Sequence, residues 1–185
     1  MSILKVARLG HPVLRGGAAP VAPDWWNLAE SRKLIQDMIE TMREYQGVGI
    51  AAPQVHAPIR VALVEIAPNP RYPQASPIPL TVLINPKVLS RSDQIDEDWE
   101  GCLSIPEWRG RVPRFARMEI EAQDEQGQVR RILADGFFCR AIQHEIDHLD
   151  GKVFVDRMPD MSTFSHLEEY FRFHRSPGAA DGAEG

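Results

Sequence analysis

QHEIDHLDG, residues 143–151, sets two histidines four apart, with a glutamate directly after the first. If the stretch is helical, His144 and His148 project from one face, one turn above the other. Two imidazole nitrogens so placed can meet at a small cation. Glu145 is turned by about 100° from His144. It can stand beside a cation without ligating it, where a general base for a bound water belongs. H-E-x-x-H is the sequence form of that arrangement. A charged helical turn that happens to hold two histidines would read the same way, so the third ligand decides.

The helix can be traced outward from the motif. It runs from about Phe137 to Leu149, and Asp150-Gly151 ends it. Measured from His144 at 100° per residue, Phe137, Arg140, Ala141 and His148 fall within about 60° of it. These residues read either as core or as the wall of a pocket above the histidines. Ser31 to Tyr45 carries an apolar stripe at helical spacing, stopped by Gly47 and Gly49. VALVEI (61–66) and TVLIN (81–85) read as strands. Five prolines between Ala67 and Leu80 read as a loop. Residues 117–123 and 128–133, joined across Asp124–Gly127, read as a hairpin. A last helix is expected around Ser162 to Phe173. The tail, 176–185, is small and polar and reads as disordered. Helices and strands are segregated, which predicts an α+β fold. Residues 1–175 are expected to form one domain.

For the third ligand, Glu168 and Glu169 would serve a thermolysin-like site, but their segment has no other mark of one. LDGKVFVDR after His148 excludes the three-histidine form. WEGCLSIP (99–106) places Cys102 in a Gly-flanked, Pro-bounded stretch, and a thiolate is a strong ligand for a divalent transition metal. Cys102, His144 and His148 would leave one coordination position open, the composition of a catalytic rather than a structural site. Cys139 lies about 140° around the helix from His144 and reads as core. GVGIAAPQV (47–55) mimics a dinucleotide-binding glycine loop, but it follows a helix and Pro53 forbids a helix opening at once. It reads instead as a tight loop carrying Gln54, whose amide is either a core hydrogen bond or a donor to a developing oxyanion.

Composition bounds the alternatives. The 185 residues are 43% hydrophobic and 25% charged, which suits a globular chain with a real core. No apolar run approaches the ~20 residues of a membrane span, and the first residues carry no secretory or transit signal. A net charge of −5 argues against dedicated nucleic-acid binding. RGRVPRFAR (109–117) is a local basic run that reads first as a solvated face, and second as a surface steering nascent chains or ribosomal RNA.

GVGIAAPQ (47–54), EGCLS (100–104) and QHEIDH (143–148), in this order, resemble the peptide deformylases, and the resemblance covers most of residues 4–172. It implies antiparallel sheets packed around the HEIDH helix, with a C-terminal helix. It implies that Cys102, His144 and His148 hold one metal, that Glu145 is the acid/base, and that Gln54 and the Leu103 backbone N–H meet the oxyanion. Val48, Gly49, Glu100, Arg109, Phe137, Arg140 and Ala141 fall at substrate-binding positions. Fe²⁺ is the implied native metal, with Zn²⁺, Ni²⁺ or Co²⁺ as substitutes; the ligand set itself suits any of them. The implied partners are nascent N-formylmethionyl polypeptides, with the ribosome near its exit tunnel as a further candidate, and the implied location is a bacterial cytoplasm. Ile50, Arg140 and Ala141 depart from the commonest family form; the last two bear on side-chain preference.

The implied reaction is hydrolysis of the formyl group, with Glu145 taking the proton of water and passing it to the leaving amine. The alternative is a zinc endopeptidase with a carboxylate third ligand, which predicts that Cys102→Ser keeps metal and activity. A binding module without catalysis would need neither Glu145 nor Gln54.

Overall fold

The computed structural model describes residues 2–66 and 77–174. Helix α1 spans Ala29–Glu44, followed by the short strand β1, Gly49–Ala51. β2 (Val61–Ile66), β3 (Ile78–Arg91), β4 (Ile95–Cys102), β5 (Ile105–Phe115), β6 (Arg117–Gln123) and β7 (Val129–Asp135) follow. Helix α2, Gly136–Leu149, carries HEIDH; β8 (Ser165–His166) and α3 (Leu167–Phe173) close the described chain. These strands pair antiparallel throughout among the described residues. One sheet has the order β1-β2-β3-β6-β7 and the other β4-β5-β8.

The larger sheet is covered on both faces, and the period-2 alternation of β2 shows it. Ala62 and Val64 pack with Ile142, Ile146 and Leu149 of α2. Val61 and Leu63 pack with Met38, Ile39 and Met42 of α1. A strand buried on both sides has no polar face, which is why VALVEI reads as a continuous apolar run. Ile142 and Leu149 are fully buried, each contributing about 2 kcal/mol. Gly151 takes a left-handed φ of 73° just past α2, where an ideal Cβ would stand 2.8 Å from the Arg15 carbonyl, so glycine stops the helix there.

Several expectations shift. The proline-rich stretch expected as a loop over 67–80 lies mostly outside the described residues, and its described end, Ile78 to Leu80, is strand. The register explains how Pro79 is tolerated: the first half of β3 pairs with β2 and only the second half, from Ile84, with β6, so one edge is unpaired at Pro79. The expected last helix over 162–173 begins only at Leu167, because Ser165–His166 pair with Arg109 and Trp108 of β5 instead. The expected disordered tail lies outside the described residues. RGRVPRFAR is largely β5 rather than a solvated face throughout. Along it Gly110, Val112 and Arg114 are buried while Arg111 is exposed.

Candidate active site

Three elements converge. Helix α2 supplies His144, Glu145 and His148. The β4–β5 hairpin supplies Cys102 at its last β4 position, paired with Ile105 across a Leu103–Ser104 turn. The turn after β1 supplies Gln54. One ligand atom each from Cys102, His144 and His148 lie within 4.8 Å of one another, the candidate metal group found among the described residues. Cys102 Sγ is 3.2 Å from His148 Nε2. Glu168 and Glu169 are exposed on α3 and belong to no such group.

The donor set fits a divalent transition metal. Burial alone would push the Cys102 thiol up, but the two histidines override it and hold it well below the usual thiol range. The Ser104 N–H also donates to the sulfur at 3.3 Å. Glu100 is buried, yet Arg114 and His144 hold its carboxyl well below the usual range, so it is an acceptor only. It lies 2.9 Å from His144 Nδ1, which must therefore carry the proton. That fixes the tautomer and turns Nε2 toward the thiolate. Burial would lower the pKa of His144, but Cys102 and Glu100 hold it well above its ordinary value. A cation would displace the Nε2 proton, so its uptake should strengthen as pH rises.

Glu145 is 4% exposed, and its Oε2 has no hydrogen-bond partner. Burial pushes its carboxyl up to about 7, against the pull of His144 and His148. Buried polar atoms are almost always satisfied, so an orphan oxygen beside a metal-type ligand set makes Glu145 a candidate to meet a reactant. Gly49 makes room for it: an ideal Cβ there would lie 2.3 Å from Glu145 Oε1. Gln54 is 1% exposed. Its Oε1 accepts from the Ala51 N–H at 2.8 Å, which turns the amide nitrogen toward Ser104 Oγ (3.2 Å) and Cys102 Sγ (3.6 Å). The core hydrogen bond expected of Gln54 is made through Oε1, and Nε2 points toward the Cys102 group.

A cleft of about 370 Å³ opens onto this group. Val48, Gly49, Phe137 and Ala141 line it, with Glu100, Arg109 and Arg140. Leu103 and Gln54 reach it as well, while His148 is 1% exposed behind it. The Arg140 guanidinium is held by Glu100 Oε1 (2.8 Å) and by the carbonyls of Val112 (2.9 Å) and Asp96 (2.7 Å). Its charge is therefore neutralised against the hairpin, and Val48, Phe137 and Ala141 are among the residues that give the cleft its apolar surface.

Sequence reasoning missed a buried ion network behind the ligands. Arg114 Nε and Nη2 grip the two oxygens of Glu100 at 2.8 and 2.9 Å, and its Nη1 reaches Asp147 at 2.5 Å. Arg157 binds the other side of Asp147. It also missed Arg8, which borders the cleft.

The family model described as polypeptide deformylase matches residues 3–164. The chain is 40% identical over 166 residues to peptide deformylase 1 of Bordetella pertussis, covering 90% of this chain and 93% of that protein. It is 42% identical over 170 residues to peptide deformylase 2 of Nostoc sp., covering 91% and 93%. Among solved structures, the Met-Ala-Ser-bound class I type b peptide deformylase from Acinetobacter baumannii superposes with a TM-score of 0.83 at 41% identity, covering 85% of this chain and 99% of that one.

Proposed function

We propose that this chain, which belongs to the polypeptide deformylase family, removes the formyl group from the N-terminal formylmethionine of newly made polypeptides, releasing formate. The observation that carries the reading is the convergence of a Cys-His-His ligand group, a buried carboxylate with one unpartnered oxygen and an aimed amide at one cleft. The family match over residues 3–164 supports taking 1–175 as one catalytic domain.

Cys102, His144 and His148 would hold the metal, which supplies Lewis acidity at the formyl oxygen and a lowered pKa for water. Fe²⁺ is the native ion in this reading, and Zn²⁺, Ni²⁺ or Co²⁺ satisfy the same ligands. The work of the protein is then a matter of proton and charge placement. Glu145, with a carboxyl near neutrality and a free oxygen, takes the proton of the attacking water. It returns that proton to the amine nitrogen as the C–N bond of the formamide breaks. The Gln54 amide and the Leu103 N–H meet the negative charge that develops on the formyl oxygen. Val48, Phe137 and Ala141 receive the methionine side chain, and Arg109 and the Gly49 backbone hold the peptide beyond it. The substrate emerges from ribosomes, so the reading places the protein in a bacterial cytoplasm near the exit tunnel.

The test is formate release from formyl-Met-Ala-Ser by protein purified without oxygen. Release of formate together with Met-Ala-Ser is expected. Cleavage of unformylated peptides at internal bonds, with no formate, would instead establish the endopeptidase alternative.

A further inference from the structure

The N-terminal segment runs between the two loops that carry the oxyanion donors, and it is bonded to both. Its backbone is anchored by the Leu4 N–H to Thr41 Oγ1 at 2.8 Å, and Val6 and Ala7 are buried. The Ala7 N–H donates to the Gln54 carbonyl at 2.7 Å, and the Leu9 N–H donates to the Ser104 carbonyl at 2.9 Å. Between them, the exposed side chain of Arg8 reaches across 95 positions of sequence, and its Nη1 donates to the Leu103 carbonyl at 2.8 Å.

The peptide unit between Leu103 and Ser104 is therefore held at both ends. Its carbonyl accepts from Arg8, and its N–H donates to the Cys102 sulfur at 3.3 Å. The Leu103 N–H lies one residue back, separated from that carbonyl only by rotations at the Leu103 Cα. Leu103 sits in a two-residue turn where no ladder bond fixes those rotations, so a charge-assisted bond to its carbonyl restrains the turn directly.

We propose that Arg8 is a positioning residue for hydrolysis: it orients the Leu103–Ser104 peptide, and so the Leu103 donor and the N–H that serves the thiolate. The inference rests on the deformylase reading, because it needs an oxyanion for Leu103 to meet. Arg8 acts on the turn and not on the substrate. Loss of its head group loosens a donor without deleting it, so the cost is below the 10²–10³ in kcat that removal of such a donor brings.

The experiment compares wild type, Arg8→Met, which keeps the packing of the stem, and Arg8→Lys, which keeps a donor. Formate release, affinity for the product peptide Met-Ala-Ser and thermal melting are measured on each. Arg8→Met should lose about 10-fold in kcat, with KM and Met-Ala-Ser affinity within about 2-fold of wild type. Its melting temperature should stay within about 3 °C, as for an exposed substitution. Arg8→Lys should recover at least about 3-fold of the loss, because an ammonium can still donate to the carbonyl. An unchanged kcat in Arg8→Met overturns the inference and leaves the deformylase reading intact. So does a raised KM with weakened Met-Ala-Ser binding at normal kcat, which would make Arg8 a direct peptide contact. If wild type releases no formate, the deformylase reading fails and this inference falls with it.

Discussion

Replacing Gly49 by alanine should separate catalysis from folding. Gly49 lies on β1 at the edge of the larger sheet, paired with Val64. An added Cβ would stand 2.3 Å from Glu145 Oε1, 2.8 Å from its Cδ and 3.0 Å from its Cγ. The shortest ordinary carbon–oxygen contact is about 3.3 Å, so the carboxylate must retreat by about 1 Å. The obstructed atoms belong to the far end of a flexible side chain, so the retreat is cheap for the fold. It is not cheap for the proposed acid/base, which has to share a proton with a bound reactant, where a displacement of about 1 Å can cost about 10²-fold. Gly49→Ala should therefore release formate about 100-fold more slowly, equivalent to about 2.7 kcal/mol of transition-state stabilisation. Its unfolding free energy should stay within about 1 kcal/mol of wild type, since the backbone conformation accepts alanine. Metal content, measured on the same preparations, should match wild type, because the atoms an added Cβ meets first all belong to Glu145 and not to Cys102, His144 or His148. If the variant keeps more than a third of the wild-type rate, the position of the Glu145 carboxylate does not limit the reaction and the reasoning fails.

Three further outcomes are expected. Glu145→Gln should retain metal while losing at least about 10²-fold in turnover, and near-normal turnover at full metal occupancy would remove Glu145 from its role. Arg114→Met leaves Glu100 and Asp147 buried with one cation fewer; because Arg140 and Arg157 still pair with them, the cost should lie near the low end for a broken buried pair, about 3 kcal/mol, lowering the melting temperature by about 6–12 °C. A melting curve that overlays wild type would show the network to be energetically neutral. The iron-loaded protein should lose activity in air as Cys102 gains oxygen atoms, while a nickel-loaded form persists and Cys139, whose thiol burial pushes up, stays reduced longer; equal oxidation of the two cysteines in peptide mass spectrometry would count against a metal-coupled route.

What could be read from the sequence follows from how local each signal is. His144, Glu145, His148 and the pocket wall at Phe137 and Ala141 share one helix, so 3.6-residue periodicity placed them before any fold was known. Cys102 and Gln54 stood out as the thiol and the amide in Gly-flanked or apolar stretches. The β4–β5 hairpin did not stand out, because the outer half of β4, Ile95 to Asp98, is exposed and acidic and shows no alternation. Arg114 is hidden for the same reason. Read as a strand, 109–115 alternates, and Arg114 falls on the side of Val112, where a buried cation demands an acid. The acid was in plain view: Asp147 lies three residues after His144, on the inward side of the motif helix. Arg8 had no local signal at all, since its partner lies 95 residues away and is a backbone carbonyl.

The network behind the ligands also explains why one hairpin can serve a site whose other ligands belong to a helix. Glu100 is the hub. It accepts from Arg114, Arg140 and His144, so it ties β4, β5 and α2 together within two residues of Cys102. Any motion that separates the hairpin from α2 must break several charge-assisted bonds in a low-dielectric interior, leaving Glu100 with Arg114 alone and Asp147 with Arg157 alone. Glu100 thus sets the tautomer of His144 from the strand that also carries Cys102. Loosening this network should spread the Cys-His-His group before it unfolds the sheet, because the core clusters beneath α1 and α2 are apolar and do not depend on it.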